Sequence, residues 1–200
     1  MHPNSSFRWD DRQALCSLIE QVGFGMIFAT TPDGPRVAHV PLLLKDDRCI
    51  QFHLARGNAL TKHLANGDAL CVVNGPDAYI SPDWYGLEDQ VPTWNYLSVE
   101  LEGSITKLDN DGLVDQIDAI TERNEKQLDP KTPWNRYKMR DGLFDKMLGS
   151  IVGFELDIKA WRSTAKLGQN KSEEARESMA EALDLNGRKA MAHLIREGGK

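Results

Sequence analysis

Three apolar, β-branched runs follow one another between Gly25 and Leu54 with only a few residues separating them. Gly25–Thr31 leads into the turn sequence Thr31-Pro32-Asp33-Gly34-Pro35, Arg36–Leu44 is apolar again, and Asp46-Asp47 turns the chain into Cys49–Leu54. Pro and Gly set the dihedrals of the first turn, so the first two runs read as a β-hairpin. Links this short cannot carry a parallel crossover, which takes a dozen residues or more. The sheet is therefore expected to be antiparallel.

The pattern continues downstream. Ala69–Asn74 reads as a fourth strand and Ala78–Ser81 as a short extended piece, followed by a loop over Ser81–Pro92. Thr93–Leu108 is the longest β-pattern, and Ile151–Trp161 alternates as the last strand, with Val152, Phe154, Leu156 and Ile158 on one side. Helices are expected around these strands. Asp10 or Asp11 caps the first, whose Leu15, Leu18, Ile19 and Val22 follow helical spacing before Gly23. A short helix runs from Asn58 to about Asn66, another starts at Asp109 or Asp111, and Asp141–Leu148 is a third short one. Ser172-Glu173-Glu174 caps a terminal helix, and Asn186-Gly187 separates it from a last one. Strands without a regular βαβ rhythm predict an α+β, mainly β architecture: an antiparallel sheet curled into a barrel, with flanking helices and a C-terminal helical tail.

Composition sets the setting. A chain of 200 residues buries enough surface to need no disulfide or metal staple. Cys16, Cys49 and Cys71 are widely spaced and form no C-x-x-C, which reads as reduced thiols of a cytoplasmic protein. The longest apolar runs, Met26–Ala29 and Val40–Leu44, are far too short to cross a bilayer, and residues 1–6 show no secretory pattern, so no membrane contact is expected. The net charge of -6 argues against coating nucleic acid by bulk electrostatics. It is unevenly spread: Lys159–Lys200 carries nine Lys/Arg against six Asp/Glu, a net +3, which leaves -9 on the preceding residues.

Candidate chemistry is sparse outside three stretches. His39, His53 and His63 show no metal-ligand spacing and read as structural histidines, although His39 and His53 both fall in strands. No nucleophile elbow or Walker loop occurs, and Gly23-x-Gly25 precedes a strand rather than a helix. The first stretch, His53-Leu54-Ala55-Arg56-Gly57-Asn58, runs from a strand to a helix start. Arg56, a capping Asn58 and free helix N–H groups suit a phosphate; a solvated Arg56 beside a plain cap is the simpler reading. The second places five aromatics between Tyr79 and Tyr96, among Pro and hydrogen-bonding side chains. These suit stacking on a planar ligand, or packing in a core or dimer interface. The third, Lys166-Leu167-Gly168-Gln169-Asn170-Lys171, suits an anion or a heterocycle edge, or is a helix-entry loop.

Together these segments resemble the PaiB-type FMN-binding family of negative transcriptional regulators. The carriers are His39-Val40-Pro41-Leu42-Leu43-Leu44, His53–Asn58, Asp77-Ala78-Tyr79-Ile80-Ser81-Pro82-Asp83-Trp84-Tyr85, Val91-Pro92-Thr93-Trp94-Asn95-Tyr96, Ile151-Val152-Gly153-Phe154 and Lys166–Asn170, in the family's order over roughly residues 1–183. The resemblance implies a split β-barrel related to the pyridoxamine-phosphate oxidase flavoproteins, homodimeric, with FMN at the subunit interface. It implies an FMN-binding domain over residues 1–165 and a C-terminal loop and helical tail, 166–200, packed on it. Arg56 and Asn58 would hold the phosphate. His39 and the segment Thr93, Trp94, Asn95 would lie near the isoalloxazine or ribityl chain, and Lys166, Gln169 and Asn170 would close the site. The chain departs from the family pattern at Gly57 and Ala59, at Gly168 in place of a serine, and at its start, Met1-His2-Pro3-Asn4.

Two functional classes follow. One is a dimeric FMN-binding regulator; no DNA-reading pattern is evident, and the basic residues Lys159, Arg162, Lys166, Lys171 and Arg176 are the only candidates for such contact. The other is a flavin-dependent reductase in which the cofactor carries the chemistry. His39 or Tyr85 could then donate a proton, but no residue is singled out as catalytic.

Overall fold

A computed structural model describes residues 2–65, 67–128 and 130–198. Asn66, the expected end of the short helix, and Met1, Gly199 and Lys200, at the ends of the expected domain ranges, lie outside the described residues, as does Asp129.

The first helix, α1 (Arg12–Val22), is capped by Asp11: its Oδ1 accepts from the Ala14 N–H at 3.0 Å and its carbonyl accepts from Leu15. The chain then folds into β1 (Phe24–Thr31) and β2 (Gly34–Asp46), an antiparallel hairpin in register from Phe24 opposite Pro41 to Thr31 opposite Gly34. β3 (Cys49–Ala55) returns along β2, with Leu42 opposite Phe52 and Leu44 opposite Ile50. A single helical turn, α2 (Thr61–Leu64), precedes β4 (Asp68–Ile80). β5 (Thr93–Lys107) leads to α3 (Asn110–Glu125), and α4 (Leu143–Leu148) to β6 (Ile151–Lys166). The tail is α5 (Glu173–Leu185) and α6 (Lys189–Glu197). The six strands close in the order β1-β2-β3-β6-β5-β4, an antiparallel split barrel as expected.

Two compact units divide the chain. The larger, Cys16–Val73 with Glu100–Trp161, contains β1 to β3 and the neighbouring parts of β4, β5 and β6. Its core is built by period-two alternation: on its part of β5, Leu101, Gly103 and Ile105 all point inward. Phe52 and Phe154 are fully buried, directly opposite each other in the β3–β6 register, and their rings stack at 5.6 Å and 24°. Gly103 is required by a close approach. A Cβ there would lie 2.0 Å from the Asp157 carbonyl oxygen and 2.8 Å from its carbon, so no larger residue fits without moving β6.

Three boundaries differ from the sequence pattern. β4 is one strand where two pieces were expected; its inward positions are Ala69, Cys71 and Val73, then Ala78 and Ile80, so the phase switches across Asn74–Asp77. Gly75-Pro76 thus behaves as an inserted irregularity within a continuous strand rather than a break. β6 runs on to Lys166 and is the longest strand at 16 residues, one more than β5. α2 is shorter than expected because Asn58 closes its own turn, its Oδ1 accepting from the Leu60 N–H at 2.9 Å.

Cys71 is buried and Cys16 and Cys49 are half-buried, none of them in a disulfide; desolvation raises the Cys71 pKa to about 12. No helix among the described residues is long and apolar enough to cross a membrane.

Candidate functional site

The smaller unit, Met1–Leu15 with Asn74–Val99 and Arg162–Lys200, contains a cleft of about 240 Å³. Its walls come from distant stretches of chain: His2, Asn4 and Phe7; Tyr85, Gln90 and Val91; Thr93 and Asn95 of β5; Lys166 of β6; and Gly168, Asn170 and Lys171 of the following loop. The N-terminal segment is held in place by its own bonds. Asn4 caps the 3-10 turn Ser5–Phe7 through Ser6 N–H at 2.9 Å, and the His2 backbone N–H donates to Thr164 Oγ1 at 3.3 Å. The His2 ring meets Phe7 edge-on at 4.8 Å and 81°. Its Nδ1 accepts from the Asn4 N–H at 3.1 Å, so the neutral imidazole carries its proton on Nε2.

The loop after β6 turns at Gly168, whose φ of +77° is a left-handed conformation that glycine adopts freely. The serine of the family pattern would bring a Cβ to 3.0 Å from Met179 Cε. Gln169 folds back on the loop, Nε2 donating to the Ala165 carbonyl and Oε1 accepting from the Leu167 N–H. Two ammonium groups remain in the cleft. Lys166 Nζ donates to Thr93 Oγ1 and lies 5.9 Å over the Phe7 ring; desolvation lowers its pKa below the ordinary 10.5. Lys171 Nζ donates to Gln90 Oε1 and lies 4.7 Å over the Tyr85 ring. Cations over aromatic faces gain attraction from the ring quadrupole.

Of the expected site residues, Thr93, Asn95, Lys166 and Asn170 line this one cleft. Asn95 is buried, with its Nδ2 against Met179 Sδ at 3.6 Å. Trp94, its neighbour on the strand, is half-exposed and pairs edge-on with Tyr79 at 6.2 Å. Arg56, Asn58 and His39 belong to the larger unit. Arg56 spans the β6 entry: Nε donates to the Gly149 carbonyl at 2.8 Å and one Nη to that of Ile151 at 3.3 Å. His39 is exposed on β2, opposite Met26. The cleft also contains residues not assigned to the site from the sequence: His2, Asn4, Phe7, Tyr85, Gln90, Val91, Gly168 and Lys171. Lys171 sits in the same polar loop as Lys166 and was within reach of the pattern. For His2 and Phe7 no local signal exists, because their neighbours lie at the far end of the chain.

A second polar cluster lies in the larger unit. His53 Nδ1 and both amide atoms of the fully buried Gln116 are shielded from solvent without a complete hydrogen bond. Burial lowers the His53 pKa below its ordinary 6.5, and the adjacent Gln116 offsets this only in part. The unfolded chain therefore takes up a proton at a pH where the folded chain does not. Stability should fall as pH drops through 6.5 toward the lowered native value, and stop falling on this account below it. Urea midpoints across that range will show the slope, and His53→Leu should remove it. A slope that survives the substitution would assign it to other groups.

A six-stranded antiparallel sheet closed in a ring, with flanking helices, defines a split-barrel protein. Solved structures show the same fold: the FAD and heme binding protein from Mycobacterium smegmatis superposes with a TM-score of 0.62 at 17% identity over 80% of this chain and 74% of that one. The flavocytochrome Anf3 from Azotobacter vinelandii does so with 0.62 at 13%, over 84% and 73%. The family model described as "Putative FMN-binding domain" matches residues 1–160, and the chain belongs to that family. Protease synthase and sporulation protein PAI 2 of Bacillus subtilis (strain 168) is 33% identical over 171 residues, 84% of this chain and 81% of that protein.

Proposed function

We propose that this protein is a homodimeric FMN-binding regulator of the PaiB type, with the flavin at the subunit interface. The observation that carries the reading is convergence: Thr93 and Lys166, 73 residues apart, meet in one cleft with Asn95 and Asn170. The donor set fits the cofactor. Amides and a hydroxyl match the carbonyl and N–H edge of an isoalloxazine, Phe7 and Tyr85 offer faces to a planar ring, and the lysines suit its negative charge. Arg56 and Asn58 would hold the phosphate, and His39, Trp94 and Gln169 complete the proposed surroundings. When bound, the flavin supplies redox chemistry, and the chain's residues bind and orient it. The dimer reading is supported by exposed apolar side chains within one stretch, Tyr79, Leu87, Val91 and Trp94.

Regulation on this reading does not run through a DNA-reading tail. Residues 172–198 carry four Lys/Arg against six Asp/Glu, so the positive charge of the C-terminal segment resides elsewhere. Arg196, on α6, is committed to Glu177 at 2.8 Å and Asp184 at 2.7 Å on α5.

The test is an absorbance spectrum after desalting, with the mass in solution, before and after adding FMN. Flavin absorbance retained at dimer mass supports the reading; a colourless protein that ignores FMN overturns it. Arg56→Ala should weaken FMN affinity by roughly 10–100-fold, the effect of losing a charge-assisted hydrogen bond. Far-UV circular dichroism should be unchanged. Unaltered affinity would remove Arg56 from the phosphate site.

A further inference from the structure

On β1 and β2 both faces of the sheet are apolar. Ile27, Ala38 and Val40 point into the barrel and are buried. The alternate positions face outward and are largely apolar as well. Residues directly opposite in an antiparallel pair share a face. The registers therefore define two rows across three strands, Val37–Phe28–Leu70 and His39–Met26–Val72, with Phe24 next along β1. All of them lie in the larger unit, and His39 alone among them can take up a charge. An antiparallel sheet with one face in water turns polar side chains outward, whereas apolar residues on both faces mark a sheet covered on both. Phe24 is 51% exposed, Phe28 36% and Val37 44%, and His39 is exposed among them. The two phenylalanines alone leave roughly 130–220 Å² of side-chain surface open, about a fifth of the ~800 Å² that each partner gives to a standard interface.

The charged groups of the surrounding elements are engaged elsewhere or lie off the two rows. β1 has no titratable side chain, and β3 pairs with β2 from Leu42 on, bringing Cys49 and His53. On β2 itself Arg36 is in the opposite phase, its Nη1 donating to the Pro35 carbonyl at 2.9 Å, and Lys45 and Asp46 lie past Leu44. Asp68 of β4 is paired with Lys159 at 3.0 Å. α3 sends Arg123 to the Leu42 carbonyl at 2.7 Å, while its Asp118 and Glu122 pair with Arg136 and Lys126. α2, against β1, carries Lys62 and His63.

We propose that a second copy of this chain docks on this face in a two-fold arrangement, and that protonation of His39 opens the contact. The proposal rests on the homodimer reading above; it names the face through which the dimer forms and a condition that governs it. A two-fold contact sets one patch against its own copy, so a charge near its centre meets a like charge. This face meets its copy without that cost, and it offers no fixed charge by which an unlike partner would be selected. His39 is the position that pH controls. A neutral imidazole is tolerated in an apolar contact, and an unpaired imidazolium is not.

The experiment is analytical ultracentrifugation of the full chain, flavin-free and with FMN, at pH 8 and pH 5.5. A dimer is expected at pH 8, with its Kd raised roughly 100-fold at pH 5.5, about tenfold for each of the two imidazoles. Phe28→Glu and Val37→Glu should each weaken the pH 8 dimer about 100-fold or more, with far-UV circular dichroism unchanged. Tyr137→Glu, which charges an exposed ring away from this face, should leave the dimer unaltered. His39→Gln should keep the pH 8 affinity and lose the pH response. His53 is retained in that variant, so its own effect on folding is common to both proteins. A dimer intact in both face variants overturns the docking, and a pH response that persists in His39→Gln overturns the gate; either result leaves the homodimer reading standing. A monomer at pH 8 with and without FMN sinks that reading and this proposal together. Should one face variant misfold, the other and the His39→Gln comparison still decide.

Discussion

A methyl group at Gly103 is expected to be among the most damaging single changes in the larger unit. The new Cβ would stand 2.0 Å from the Asp157 carbonyl oxygen and 2.9 Å from Leu156 Cδ2. The first of these is backbone in a paired strand, since Asp157 lies opposite Cys49 in the β3–β6 register, and it cannot swing aside as a side-chain tip would. Overpacking typically costs about 1–3 kcal/mol, and a clash with fixed backbone belongs at or above the top of that range. For a domain whose whole stability is about 5–15 kcal/mol this is a large fraction. With a urea slope of roughly 1–3 kcal/mol/M, the unfolding midpoint of Gly103→Ala should fall by on the order of 1 M or more, with the slope unchanged. A midpoint matching wild type would mean that β5 and β6 can separate locally at little cost.

Phe154→Ala should be comparably severe for the opposite reason. Phe154 and Phe52 are fully buried and face each other across β3 and β6, so truncation opens a cavity bounded by strands on both sides. Phe→Ala in such cores costs about 3–5 kcal/mol, the lost transfer energy adding to the residual void. The stacked ring pair adds about 0.5–1.5 kcal/mol of coupling, which a double-mutant cycle with Phe52→Leu isolates. Phe154→Leu should recover a good part of the loss because it refills volume without the ring. If the alanine variant loses less than about 1 kcal/mol, the two rings are not the centre of the barrel core.

The barrel was legible because its signals are local. The hairpin of β1 and β2 is written in the turn Pro32-Asp33-Gly34, and the inward positions of β5 follow strict alternation from Asn95 to Ile105. Legibility ended where a local signal carried two meanings. Gly75-Pro76 is a break by propensity, yet β4 runs through it as one strand. Past Trp161 the apolar alternation of β6 fades, since its last buried positions are Ser163, Thr164 and Ala165, and small residues without a large apolar side chain do not announce a strand. A third of the cleft was legible for the same reason: Thr93, Asn95, Lys166 and Asn170 stand in compact polar and aromatic strings. Phe7 and Tyr85 read as ordinary apolar residues, and only the folded chain puts ammonium groups over their rings.

The long-range tie between the His2 N–H and Thr164, 162 positions on, bears on how the protein is made. Synthesis at about 5–20 residues per second separates the two by on the order of 10–30 s. During that interval the β1–β2–β3 meander can form from near neighbours, as low-contact-order elements do. The residues that open the chain meanwhile wait for a seat that has not yet emerged. A ligand in the cleft can therefore stabilise only chains that extend through Lys171, since binding protects a state in proportion to its ability to bind. Chains stalled before Lys166 lack part of the cleft wall and gain nothing from a ligand bound there.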